Sequence, residues 1–133
     1  MSEESDIIPC KSVLVVEDDQ SIRDLLKIAL ELDGYEVSTA ENGQIALDLL
    51  PQMPKPCLIL LDLMMPVMDG WAFAAKLEKD VVLATIPVVI VSAFSDKGKD
   101  IKAKAFIKKP VDLEALFLVV KKWCPPKNRK NNV

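Results

Sequence analysis

The sequence predicts an α/β domain, a single doubly wound five-stranded parallel sheet with helices on both faces. Short, apolar, β-branched runs alternate with segments of helical period, and five such runs occur in 133 residues. Polar residues follow the runs rather than interrupt them, as buried strands require. The length suits one domain with a sizeable core, and neither an internal repeat nor an internal linker is visible.

"SVLVV" opens the sheet as a buried strand over about residues 12 to 17, ending in acids. "QSIRDLLKIALEL" follows as a helix with Ile22, Leu25, Leu26, Ala29 and Leu30 on one face. Asp19 is placed to cap its start and Gly34 to end it. "YEVSTA" is a short second strand, and "GQIALDLLP" a second helix stopped by Pro51. "CLILL" is the third strand. Asp69 can cap a third helix whose inner face carries Phe73, Leu77 and Val81. "PVVIVS" and "AFIK" supply the fourth and fifth strands. The final helix, "VDLEALFLVVKKW", turns Leu113, Leu116, Phe117 and Val120 inward and leaves Val111, Ala115 and Leu118 on the other side.

Half of the residues are apolar and 28% are charged, the balance of a soluble globular chain. A net charge of -3 argues against a nucleic-acid binder. Histidine is absent, which removes the usual zinc sites and Ser-His-Asp triads. Cys10, Cys57 and Cys124 lack metal-ligand spacing, and their odd, sparse count suits reduced thiols better than a disulfide framework. The start, "MSEESDIIP", is acidic where a signal peptide would be basic. The longest apolar stretch, "VVLATIPVVIVSAF", is too short to span a membrane. The expectation is a cytoplasmic domain over 11–124, with a flexible acidic extension at 1–10 and a basic, disordered tail at 125–133.

In open parallel sheets, ligands bind beyond the carboxyl ends of the strands. Glu17, Asp18 and Asp19 follow the first strand, Asp62 the third, Ser92 the fourth, and Lys109 with Pro110 the fifth. If strands one and three adjoin, Asp18 and Asp62 share a pocket with Glu17 beside them. Two carboxylates about 4 Å apart repel by roughly 4 kcal/mol at an effective dielectric of ~20, so a cation is expected. Oxygen-only ligands suit a small hard ion, and magnesium fits best. Asp19 reads instead as a helix cap.

The order "VLVVEDDQSIR", "LILLDLMMPVMDGW", "PVVIVSA" and "FIKKP" resembles the receiver domain of two-component response regulators, of the stand-alone, single-domain type. The resemblance covers roughly Ser12 to Trp123, and Pro66, Asp69 and Gly70 fit its pattern after Asp62. It implies a flavodoxin-like sheet of strand order 2-1-3-4-5. It makes Asp62 the phosphoryl acceptor, Asp18 and Asp62 metal ligands with the Met64 backbone carbonyl, and Glu17 a ligand through water. The metal is Mg2+, for which Mn2+ can substitute. Ser92 and the Ala93 amide match the groups that bind the phosphoryl oxygens, Lys109 their ammonium partner, and Phe106 the aromatic switch. The implied partners are a sensor histidine kinase or phosphotransfer protein and a downstream protein target, with the chain a monomer or weak homodimer.

The segment between Ser92 and Lys109, "SAFSDKGKDIKAKAFIKK", is about five residues shorter than in typical receivers. Gly98 and the dense lysines predict that the fourth helix, between strands four and five, is shortened or absent near 95–104. Residues there either dock a partner or move. Met64 and Phe94, each two residues after a site residue, flank the path of hydrolytic water and imply slow self-dephosphorylation.

Other chemistries fit less well. A phosphatase resembling haloacid dehalogenases wants a second aspartate where this chain has Met64. A flavodoxin-like binding module needs a phosphate-cradling loop where this chain has the repelling "EDDQS". A receiver-like interaction module independent of phosphorylation is the remaining alternative. The sequence reading is a phosphorylation-controlled signalling switch without external turnover.

Overall fold

The computed structural model describes residues 11–93 and 101–125. Five parallel strands form one sheet: β1 (Ser12–Val16), β2 (Glu36–Ala40), β3 (Leu58–Leu61), β4 (Val88–Ser92) and β5 (Ala105–Lys108). Their spatial order is β2-β1-β3-β4-β5, the doubly wound flavodoxin-like arrangement. Among the described residues the helices are α1 (Gln20–Leu32), α2 (Gly43–Leu49), α3 (Gly70–Glu78) and α4 (Leu113–Trp123).

Strand side chains alternate between two cores, because successive Cβ atoms point to opposite faces. Leu14, Val16, Ile59, Leu61 and Ile90 pack toward α2 and α3 around Phe73 and Leu77. Val13, Val15, Leu60, Val89 and Ile107 pack toward α1 and α4 around Leu26, Leu30, Leu116 and Val120. β1 and β4 are buried along their whole length, which accounts for their near-continuous apolar composition. Phe73 is wholly buried, a contribution of about 2–3 kcal/mol on its own.

Local signals set the helix ends. The Asp19 carboxylate accepts the amides of Ser21 and Ile22 at 2.9 and 3.2 Å and caps α1. Gly34 leaves α1 at φ +95, a conformation that costs a side-chain residue strain. Asn42, Asp69 and Asp112 cap the other three helices in the same way. Pro51 ends α2 in a single 3-10 turn.

Several expectations change. Leu25 is 44% exposed on α1 rather than inward, and Val81 is 86% exposed because α3 stops at Glu78. Val111 packs partly against the α1–α4 core instead of lying on the opposite side. Ile22, by contrast, leans on that core as expected. Cys57 and Cys124, expected as separate reduced thiols, are joined as a disulfide with Cα atoms 5.5 Å apart. Two segments far apart in sequence meet there, and spacing along the chain carries no sign of that. Cys10 lies outside the described residues.

Most of the segment expected to hold the shortened fourth helix, residues 94–100, lies outside the described residues, as does Phe94. Residues 101–104 are not helical, and Ile101 is buried against the α2–α3 side of the sheet, covering part of it. No described helix is long and apolar enough to cross a membrane.

Candidate functional site

β1 runs into the acids, and hydrogen bonding to both neighbours fixes where they go. The Glu17 amide donates to Ala40 O and the Asp62 amide to Val16 O, each at 2.9 Å. Glu17 and Asp18 are thereby held beside Asp62 at the carboxyl end of the sheet. On the other side of β3, the Lys109 amide donates to Ser92 O at 2.9 Å, seating the lysine against β4. A cis peptide joins Lys109 to Pro110.

The side chains converge on an open cleft of about 210 Å³ lined by Glu17, Asp18, Asp19, Asp62, Met64, Ser92, Ala93 and Lys109. Every site residue expected from the sequence lines it except Phe106. That ring is 46% exposed on the edge strand β5, while its neighbour Ile107 points into the core.

Carboxylate oxygens of Glu17, Asp18 and Asp62 lie within 4.8 Å of one another. Glu17 and Asp62 are almost fully buried, and Asp18 is exposed. Lys109 Nζ stands 2.9 Å from Glu17 Oε1 and 3.4 Å from Asp62 Oδ1. Glu17 Oε1 therefore has an ion-pair partner, but it receives no hydrogen bond of proper geometry. Its twin, Oε2, accepts the Asp19 amide at 3.1 Å.

Burial first, and then the nearby Glu17 charge, raise the Asp62 carboxyl to about 7 against the opposing pull of Lys109. Burial by itself would lower the Lys109 ammonium; its close ion pair with Glu17 and the field of Asp62 carry it above the usual lysine value. Among the described residues one ammonium thus answers three carboxylates, a cluster short of positive charge. An under-bonded buried oxygen, an oxygen-only donor set and an Asp62 carboxyl pushed toward neutrality together fit a small hard divalent cation.

Some supporting residues escaped the sequence reading. Arg23, one turn into α1, donates to the carbonyls of Glu17 and Asp18 at 2.9 and 3.3 Å and holds the acidic loop down. Nothing but its distance from the acids could have marked it. Gly70 starts α3 so close to the end of β3 that a Cβ there would stand 2.6 Å from Asp62 O. The "DG" pair was visible as a helix start, but this contact was not. Between them, Val67 takes φ +70 with Met68 N donating to Pro66 O at 2.7 Å, a γ-turn unusual for a β-branched residue.

Comparison with known proteins agrees with this geometry. The chain is 40% identical over 114 residues to the response regulator PleD of Caulobacter vibrioides, covering 82% of this chain and 25% of PleD. It is 36% identical over 114 residues to the DNA-binding dual master transcriptional regulator RpaA of Synechocystis, of which it spans 47%. The chain thus spans about half the length, or less, of these curated relatives. Among solved structures, the response regulator TrrA of Thermotoga maritima, in complex with Mg2+-BeF, superposes with a TM-score of 0.74 at 32% identity, covering 85% of this chain and 98% of TrrA. Residues 13–121 match the response regulator receiver domain, and with the acidic cleft at the end of its 2-1-3-4-5 sheet the chain belongs to that family.

Proposed function

We propose that the chain is a phosphorylation-controlled switch in which Asp62 accepts a phosphoryl group from a sensor histidine kinase or phosphotransfer protein. The observation that carries this reading is the setting of Asp62, nearly buried between two further carboxylates and 3.4 Å from an ammonium. Membership of the receiver family and the Mg2+-BeF complex of its relative TrrA support it.

Mg2+, or Mn2+ in its place, would be held by Asp18, Asp62 and the Met64 backbone carbonyl, with Glu17 acting through water. When bound, it supplies positive charge that neutralises phosphoryl oxygens. An Asp62 carboxylate oxygen attacks phosphorus, forming an acyl phosphate as the bond from phosphorus to the donor's imidazole nitrogen breaks. Lys109 shifts from the carboxylates to the new phosphoryl oxygens, and Ser92 and the Ala93 amide donate to them. The hydroxyl of Ser92, drawn toward Asp62, vacates space into which Phe106 turns from its exposed position. A downstream protein then reads the altered surface around β5, with the chain acting as a monomer or weak homodimer in the cytoplasm. The acidic extension at 1–10 and the basic tail at 125–133 flank this receiver unit.

Incubation with Mg2+ and acetyl phosphate tests the reading. The expected result is one added phosphoryl mass on the wild type and none on Asp62→Asn. Sustained turnover of a chromogenic phosphoester would favour a phosphatase instead. Failure to phosphorylate under any donor would leave an interaction module independent of phosphorylation.

A further inference from the structure

We propose that Cys57 and Cys124 form a reversible modification site, a thiol pair that exchanges with external dithiols and disulfides and sets domain stability by redox state. The inference does not depend on phosphoryl transfer.

The two cysteines sit at the end of the sheet opposite the acidic cleft. Cys57 directly precedes β3, and Cys124 caps α4. Their Cα atoms are 5.5 Å apart, inside the range a disulfide spans without backbone movement. Bonds other than the sulfur link hold both backbones in place. The Cys57 amide donates to Ser12 O at 2.8 Å, and the Cys124 amide to Val120 O at 2.7 Å. The buried Tyr35 hydroxyl donates to Cys124 O at 2.8 Å. Closure and opening of the sulfur link therefore leave the same frame in place.

Both oxidation states are accommodated. Cys57 Sγ lies 3.2 Å from Ser12 O, so a reduced thiol there finds an acceptor at once. The fully buried Cys124 is shielded, whereas Cys57 is partly accessible. This asymmetry makes Cys57 the sulfur open to attack. A thiolate of an external dithiol bonds to Cys57 Sγ as the bond to Cys124 Sγ breaks, and Cys124 leaves as a thiolate that takes up a proton. The second thiol of the reagent then attacks its own bonded sulfur, releasing Cys57 as a thiol and the reagent as a disulfide. Two electrons and two protons pass to the protein; an external disulfide reverses the step.

The link spans 67 residues of sequence, a stretch that includes Asp62, Ser92 and Lys109. A cross-link over so long a loop restricts the unfolded chain strongly. Its making and breaking shifts stability without touching the cleft.

The test uses the full chain carrying Cys10→Ser, equilibrated with oxidised glutathione or with dithiothreitol under native conditions. Alkylation after denaturation should add two adducts to the reduced protein and none to the oxidised one. The oxidised protein should melt roughly 10 °C higher. Cys57→Ser, which keeps a donor toward Ser12 O, should melt with the reduced protein and ignore oxidant; Cys57→Ala should ignore it too. Two free thiols after oxidation, equal melting temperatures, or reduction only in denaturant would each overturn the proposal.

Discussion

Lys109 reaches back across the sheet to Glu17, its Nζ 2.9 Å from Oε1, nearer than the 3.4 Å it keeps to Asp62. The lysine follows β5 and the glutamate follows β1, with β3 and β4 between them. Glu17 is 1% exposed and would otherwise be a buried charge beside a second carboxylate.

Lys109→Ala should accordingly destabilise the metal-free domain by about 3 kcal/mol, the cost of leaving a buried charge unpaired. The Asp62 carboxyl should also rise further, since the lysine is what holds it down. Urea unfolding and an NMR titration of the Asp62 carboxyl read the two effects. A variant as stable as the wild type would show that water replaces the ammonium.

Stability should depend on pH through Asp62. Its folded value of about 7 lies above the ordinary 3.8, so the folded chain keeps a proton that the unfolded chain has lost. This contribution is complete below about pH 4 and fades as pH rises through 7. Without metal, the wild type should lose stability relative to Asp62→Asn between pH 5 and pH 8. Parallel urea midpoints for the two proteins across that range would contradict the raised value.

Magnesium should stabilise the fold. At a hundred times its dissociation constant, a ligand specific to the folded state adds about 2.7 kcal/mol. Asp18→Asn removes one carboxylate of the cluster and should weaken the response at a given Mg2+ concentration. Differential scanning fluorimetry against Mg2+, with K+ as a control for ionic strength, distinguishes specific binding from screening.

Gly70→Ala should cost about 1–3 kcal/mol and slow phosphorylation by acetyl phosphate, because the added methyl meets Asp62 O at 2.6 Å and Leu63 Cα at 2.9 Å. Both neighbours are backbone and cannot step aside. The effect on rate distinguishes displacement of Asp62 from simple loss of stability. An unchanged rate at full occupancy of the folded state would mean that the loop yields without moving Asp62.

Much of the architecture was legible because the chain repeats a simple message. Short strand-like runs, most of them apolar and most followed by a cap and a helical period, leave little choice but a covered parallel sheet. The errors have physical causes. Val81 continues the helical period of α3, but the helix stops at Glu78, so the pattern outlasts the element. Leu25 fits the apolar face of α1, yet α1 packs on a narrower stripe of Leu26, Ala29 and Leu30. Arg23 and the contact at Gly70 were invisible because each depends on how one connection folds back on itself, Arg23 onto the carbonyls of Glu17 and Asp18 and Gly70 onto Asp62 and Leu63, and residue type alone does not mark such a contact.

By itself the sequence determined which groups stand at the strand ends: Glu17, Asp18, Asp62, Ser92 and Lys109 each follow an apolar run, and local pattern suffices to put them there. The tertiary structure alone decided how they share charge. Parallel register set Asp62 against β1 and Lys109 against β4, so one ammonium meets two buried carboxylates and leaves Glu17 Oε1 under-bonded. It alone also brought Cys57 to Cys124. Coulomb interaction and bond formation depend on distance in space, and distance along the chain does not set it.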